Sequence, residues 1–268
     1  MRENFSFIKI TVIFLFFLCI GFVIIPLLHL IFTTSFHKFL ETLTDKDVWD
    51  AIKTSFISAG GATLIGLILA IPGAYFLARY QFKGKEIIES MLNIPIIIPH
   101  VAVGIILLNL LNENAVLGKF FKILHISFVD TIYGIMVAMC FVSISYIISS
   151  VILGFRAITP ELEAAARTLG ATPWYTFYKI TLPLLIPSIV RGSILAFARS
   201  VSEIGAILII AYYPMTAPVL LYERFENYGL ENAKPITILI ILLSLILFTI
   251  LMIIFKKIGE KHASQGYN

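Results

Sequence analysis

Six stretches of this chain are long and apolar enough to cross a lipid bilayer, and nothing else in the sequence limits its fold as strongly. A hydrocarbon core about 30 Å thick takes about 20 helical residues at about 1.5 Å each. Residues 10–32, 51–78, 87–111, 132–153, 184–211 and 235–255 meet that length. Of the 268 residues, 59% are hydrophobic and only 13% charged, against about 25% charged in a soluble domain. A soluble enzyme is excluded. The expected fold is all-α: one polytopic membrane domain over residues 1–268 with six transmembrane helices. Arg2 and Lys9 precede the first run like the charges of a signal peptide. That run is too long for a signal core of about 7–15 residues and no small-x-small cleavage site follows, so a retained first span is expected.

Charge placement sets the orientation. With the amino terminus inside, eleven basic residues fall on the inner side: Arg2, Lys9, Arg79, Lys83, Lys85, Arg156, Arg167, Lys179, Lys256, Lys257 and Lys261. Seven fall outside: Lys38, Lys46, Lys53, Lys119, Lys122, Arg224 and Lys234. Acids run the other way, nine outside and six inside. Both termini are therefore expected in the cytoplasm of a multi-pass cell-membrane protein. The pI near 9.0 reflects basic inner loops and membrane lipid as surroundings, with no nucleic-acid partner implied.

Chemistry-bearing motifs are few. Cys19 and Cys140 lie inside apolar runs and read as packing residues. His29, His37, His100, His125 and His262 are scattered and read as surface or interface polar groups, so no metal site is expected. Gly84-Lys85 and Gly118-Lys119 lack the earlier glycine of a phosphate-binding loop. The chain is thus expected to be no enzyme, with no catalytic residue and no directly bound cofactor. In the second span Ser58, Ala62, Gly66, Ala70, Ala74 and Ala78 recur every fourth residue, which suits close helix packing. Pro72, Pro95 and Pro99 interrupt apolar runs and are expected to kink or break helices. For Pro95 and Pro99 a pathway role and a purely structural one both stand.

The inner loop 155–183, FRAITPELEAAARTLGATPWYTFYKITLP, is unlike a tether. Thr159 is placed to cap a helix with Pro160 at its first position and Glu161 and Glu163 in its first turn. Gly170 supplies a left-handed end, and Thr172-Pro173 start a second short helix carrying Trp174, Phe177 and Ile180. The apolar face formed by Leu162, Ala165, Ala166 and Leu169 suits docking, with an interfacial helix lying on lipid as the alternative.

This loop resembles the so-called EAA loop of permease subunits of binding-protein-dependent ABC importers. The family pattern is Glu-Ala-Ala, three residues, Gly, nine residues, Ile, one residue, Leu-Pro. The chain has Ala165-Ala166, then Gly170, Ile180 and Leu182-Pro183 at that spacing. Ala164 stands where the pattern has Glu, with Glu163 the nearest acid. The segments LARYQFKGK, NIPIIIPHVAVGIILL and FARSVSEIGAILIIAYYPMTAPVLLYERF extend the resemblance to the molybdate, tungstate and sulfate importers, and in the last segment to archaeal-type tungstate/molybdate permeases. His100 and Ser202 replace a Pro and a Gly common there. The resemblance implies the type I importer permease fold and an ATPase-coupling loop containing Glu161, Glu163, Ala165, Ala166, Arg167, Gly170, Ile180, Leu182 and Pro183. It also implies a second permease copy, two cytoplasmic ATP-binding subunits that use ATP and Mg, and an extracytoplasmic oxyanion-binding protein. Sulfate or another small solute is the alternative cargo.

The fifth span carries Arg191, Arg199 and Glu203. Ionisable groups cost at least about 2.5–3.5 kcal/mol at mid-membrane, so they are expected to face a partner or a cavity. Arg191 lies near the inner end and can snorkel. Arg199 and Glu203, four apart, can pair on one helix face. Either Arg199 attracts an oxyanion, or Glu203 neutralises it and the pair sets packing or a gate. Pro95, Pro99, Arg199, Glu203 and Gly205 are the candidate pathway or gate residues. A polytopic enzyme would need a cluster of His, Ser or carboxylates at one depth. A secondary transporter should show an inverted repeat and would have no use for the docking loop.

Overall fold

A computed structural model describes the backbone of residues 2–265 and the side chains of residues 9–255. The side chains of Arg2, Lys256, Lys257, Lys261 and His262, part of the charge and histidine tally above, lie outside the described residues. Among the described residues the chain is helical throughout, with no strand: α1 Arg2–Thr33, α2 Phe36–Thr44, α3 Lys46–Arg79, α4 Lys85–Met91, α5 Ile94–Ile97, α6 His100–Leu111 and α7 Val116–Ile123. Then come α8 Ile132–Ala157, α9 Pro160–Thr168, α10 Pro173–Thr176, a π-helical turn Phe177–Thr181, α11 Leu182–Val201, α12 Ile207–Ile210, α13 Ala217–Tyr228 and α14 Leu230–Gln265. Five helical stretches are long and apolar enough to cross a membrane, and a sixth crossing exists only as a pair of helices bent by 109°.

That bent pair occupies the apolar stretch 87–111, and the break falls at Pro99, one of the prolines expected to kink or break a helix. Pro99 lacks an N–H and pushes Ile98 into extended geometry, φ −66° and ψ 133°, so α5 stops and α6 starts in a new direction. Bare backbone is costly in lipid, so polar neighbours are needed along such a broken span. At the α4–α5 junction one short helix before the bend, Ser145 Oγ on α8 donates to the Leu92 carbonyl at 2.7 Å and Ser149 Oγ to Asn93 Oδ1 at 3.2 Å.

The stretch 184–211 also divides: α11 ends at Val201 and α12 begins at Ile207. Ser202 Oγ donates back to the Arg199 carbonyl at 3.0 Å, and Glu203 Oε1 accepts from Ala206 N at 2.8 Å. Such local side-chain bonds compete with helix continuation. At its inner end α11 is longer than expected. The second loop helix is not a separate unit: α10 passes through the π turn into α11, making one rod over Pro173–Val201. Pro183 offers no N–H to residue 179, and Leu182 N instead reaches back five residues to the Phe177 carbonyl.

The core is α3 packed on α8 and α11. Ser58, Ala62, Gly66, Ala70 and Ala74 of the small-residue stripe are buried, and Ala78 is half-buried. Ala70, Ala74 and Leu77 meet Ile147, Val151, Phe155 and Leu185 in one cluster. A second cluster gathers Val103, Leu107, Ile135, Met139, Ile207 and Ile210 around the two breaks. With lipid outside, close packing of this kind holds membrane helices together. Cys140 is buried, Cys19 exposed, and both are free thiols. Helix α1 buries none of its most apolar window.

Candidate functional site

Two side-chain clusters sit at opposite ends of α11, about 30 Å apart along a helix of this length. At the start of α11 lies the loop. Thr159 occupies the N-cap position of α9 with extended geometry, but its side chain makes no cap bond, contrary to expectation. Thr172 does cap α10, accepting from Tyr175 N at 3.3 Å. Gly170 adopts φ +90°; its own N–H reaches the Arg167 carbonyl and that of Ala171 the Ala166 carbonyl, both at 3.0 Å, closing α9.

The loop presents a mixed surface. Glu161, Leu162, Ala165, Arg167 and Leu169 are exposed, Leu169 by 89%. Leu162, Ala166, Leu169, Tyr175 and Ile180 line an open groove of ≈ 620 Å³. Leu182 and Pro183 are half-buried at the start of α11. Glu163 turns the other way, its side chain only 9% exposed. Arg79 Nη2 at the end of α3 donates to Glu163 Oε1 at 2.7 Å, and Thr181 Oγ1 donates to the same oxygen at 3.0 Å. Arg79 Nη1 donates to the Phe155 and Ile158 carbonyls at 3.1 and 2.9 Å.

At the far end of α11 the two broken spans meet. Gly205 lies against His100 so closely that a Cβ there would fall 2.7 Å from that of His100. On the next turn of α6, a Cβ on Gly104 would fall 2.7 Å from the Ala206 carbonyl oxygen. This approach seats the Glu203 carboxylate, 1% exposed, between Arg199 and His100. Arg199 Nη2 donates to Glu203 Oε2 at 2.8 Å. His100 Nδ1 lies 2.9 Å from the same oxygen and 2.7 Å from Arg199 Nη2, and its Nε2 lies 2.9 Å from that nitrogen. Pro99 is the N-cap of α6 at this junction. Pro95 is buried one short helix earlier and is not part of the cluster. Arg191 is exposed.

The pairing of Arg199 with Glu203 is therefore present, although Glu203 lies past the end of the helix. Its carboxylate pairs with the guanidinium at 2.8 Å. Three participants escaped sequence reading. Arg79 counted only as an inner basic residue, Thr181 as a loop residue and His100 as a scattered histidine. Of these, His100 alone carried a local signal: a polar side chain following Pro99 between two apolar runs.

Residues 62–263 match the family described as "Binding-protein-dependent transport system inner membrane component". A molybdate/tungstate transport system permease protein of Methanocaldococcus jannaschii is 42% identical over 221 residues, covering 82% of this chain and 87% of that protein. A probable sulfate transport system permease protein of Chlorokybus atmophyticus is 33% identical, covering 89% and 85%. A crystal structure of a bacterial ABC transporter that imports alginate superposes with a TM-score of 0.71 at 18% identity, covering 96% of each chain. The multi-pass helical fold, the loop spacing and these matches agree, and the chain belongs to the binding-protein-dependent transport system inner membrane components.

Proposed function

We propose that this chain is the membrane-spanning subunit of an ATP-driven importer of molybdate or tungstate, with both termini cytoplasmic. Two copies form the pathway between them, and two cytoplasmic subunits hydrolyse ATP with Mg. This chain itself binds no nucleotide and performs no catalysis. The observation that carries the reading is the exposed groove of Leu162, Ala166, Leu169, Tyr175 and Ile180, built on a loop with the importer spacing and joined without interruption to the fifth span. An ATPase seated there pushes on a helical rod rather than on a flexible tether.

The oxyanion assignment draws on the relative that is 42% identical. The acidic excess of the outer loops, nine acids to seven bases, repels a free anion and favours delivery by an extracytoplasmic binding protein. Pro99, His100, Arg199, Glu203 and Gly205 act as a gate: closed, the guanidinium is neutralised; opened, it faces the passing anion. The test is to purify the chain with its ATPase and binding protein and to load the latter in turn with tungstate, molybdate and sulfate. ATP hydrolysis is expected to rise severalfold with tungstate or molybdate. A rise with sulfate alone would overturn the cargo assignment, and no rise with any ligand would overturn the importer reading.

A further inference from the structure

We propose that Arg79 and Glu163 form a strut that makes α9 move as one body with α3, α8 and α11, so that force received by the loop reaches the spans. The proposal rests on the importer reading for its purpose, and on geometry alone for its existence. Helix α9 has few other attachments. Only Glu163 and Ala166 of its residues are buried. It joins α8 through the extended residue Ile158 and joins α10 through Gly170 at φ +90°. A helix held by two short joints and one buried alanine would swing independently of the bundle.

Arg79 removes that freedom because one planar guanidinium reaches three elements at once. From the end of α3, Nη1 donates to the Phe155 and Ile158 carbonyls at the end of α8, while Nη2 donates to Glu163 on α9. The α8 carbonyls carry the negative end of the helix dipole, which favours a cation there. Thr181, on the π turn that leads into α11, binds Glu163 from the other side at 3.0 Å. Both charged side chains are nearly buried, 11% and 9% exposed. A buried ion pair adds little net stability over apolar packing of the same volume, so its placement where α3, α8, α9 and the turn into α11 meet fits a positioning role. A lysine could hold the charge but not the fork.

The strut is tested first by a distance, readable in the protein alone and again in complex with its ATPase. With Cys19 and Cys140 replaced by alanine, spin labels at the exposed positions Gln81 and Thr168 report the distance from the end of α3 to α9 in the full-length protein. One narrow distribution is expected with Arg79 and Glu163 intact, unchanged between nucleotide-free and ATP-bound complexes. Glu163→Gln and Arg79→Gln are each expected to broaden it, and Arg79→Lys to broaden it less. In proteoliposomes, the number of oxyanions imported per ATP hydrolysed is expected to fall at least tenfold in Glu163→Gln, and the Arg79→Gln/Glu163→Gln double variant to lose no more than the worse single one. An unchanged narrow distance in Glu163→Gln, or a broadened one with an unchanged transport ratio, overturns the strut. Absence of stimulated ATP hydrolysis in the unmutated complex overturns the importer reading, while the distance result still decides the strut.

Discussion

Replacing Glu203 by Gln should destabilise the protein more than any other single change at the break between α11 and α12. The glutamine oxygen can keep the bond from Ala206 N, but its amide nitrogen then faces the Arg199 Nη2 donor. A charge-assisted hydrogen bond worth about 1.5–3 kcal/mol is lost, and breaking a buried pair costs about 3–5 kcal/mol. The Arg199 side chain is 21% exposed and that of His100 39%, so partial rehydration lowers the expected loss to about 2–4 kcal/mol. At about 2–4 °C per kcal/mol for a chain of this size, the midpoint of thermal unfolding in detergent should fall by roughly 5–15 °C. Arg199→Gln should cost less, because Glu203 keeps its contacts with Ala206 N and His100. The double variant should lose at least about 1 kcal/mol less than the sum of the singles, since it leaves no stranded charge. A Glu203→Gln midpoint within about 2 °C of the unmutated protein, or strict additivity, would refute the reasoning.

Gly104→Ala places a methyl group 2.7 Å from the Ala206 carbonyl oxygen and should cost about 1–3 kcal/mol by overpacking; Gly60→Ala, with nothing within 4 Å, serves as the unaffected control in the same melting assay. Gly170→Ala keeps open space around the new methyl but imposes φ +90° on an L-residue, at about 1–2 kcal/mol, so exchange of the Ala171 amide should quicken roughly 5- to 30-fold. In the loop between α6 and α7, hydrogen bonding and charge attraction from Lys122 hold the Glu113 carboxyl below the usual carboxylate range. A depressed folded pKa gives stabilisation that is present above the unfolded value and fades as pH falls through the folded one. Lys122→Gln should therefore raise the Glu113 midpoint in a carboxyl NMR titration, and an unmoved midpoint would show that the pair does not persist.

What sequence reading could reach follows from range. Apolar length is a local property, and the long helices lie where the apolar runs lie. The end of α9 at Gly170 is equally local. The break at Pro99 was half visible, because a proline announces lost hydrogen bonds without giving the angle of the bend, and the break between α11 and α12 carries no proline at all. The ion-pair partners were out of reach: Arg79 and Glu163 are 84 residues apart and His100 and Arg199 are 99 apart. A weak clue existed within α9, where Leu162, Ala166 and Leu169 fall at i, i+4 and i+7 on one helical face. Glu163 is one step of about 100° away from that face.

The two clusters gain meaning from the rod between them. Helix α11 has 20 residues, about 30 Å, with the Thr181 bond to Glu163 just before its start and the Arg199–Glu203–His100 cluster at its end. If the ATPase tilts the loop and the strut carries that tilt into α11, a rotation of about 10° moves the far end of a 30 Å rod by about 5 Å. The hydrogen bonds at the cluster are 2.8–2.9 Å long and weaken steeply once stretched past about 3.5 Å. A small rotation at the inner end is thus enough to part Glu203 from His100 on the other broken span. In the proposed gate, Arg199 and Glu203 lie four residues apart at the end of the same rod, so the bond expected to part first is the one between spans, from Glu203 to His100.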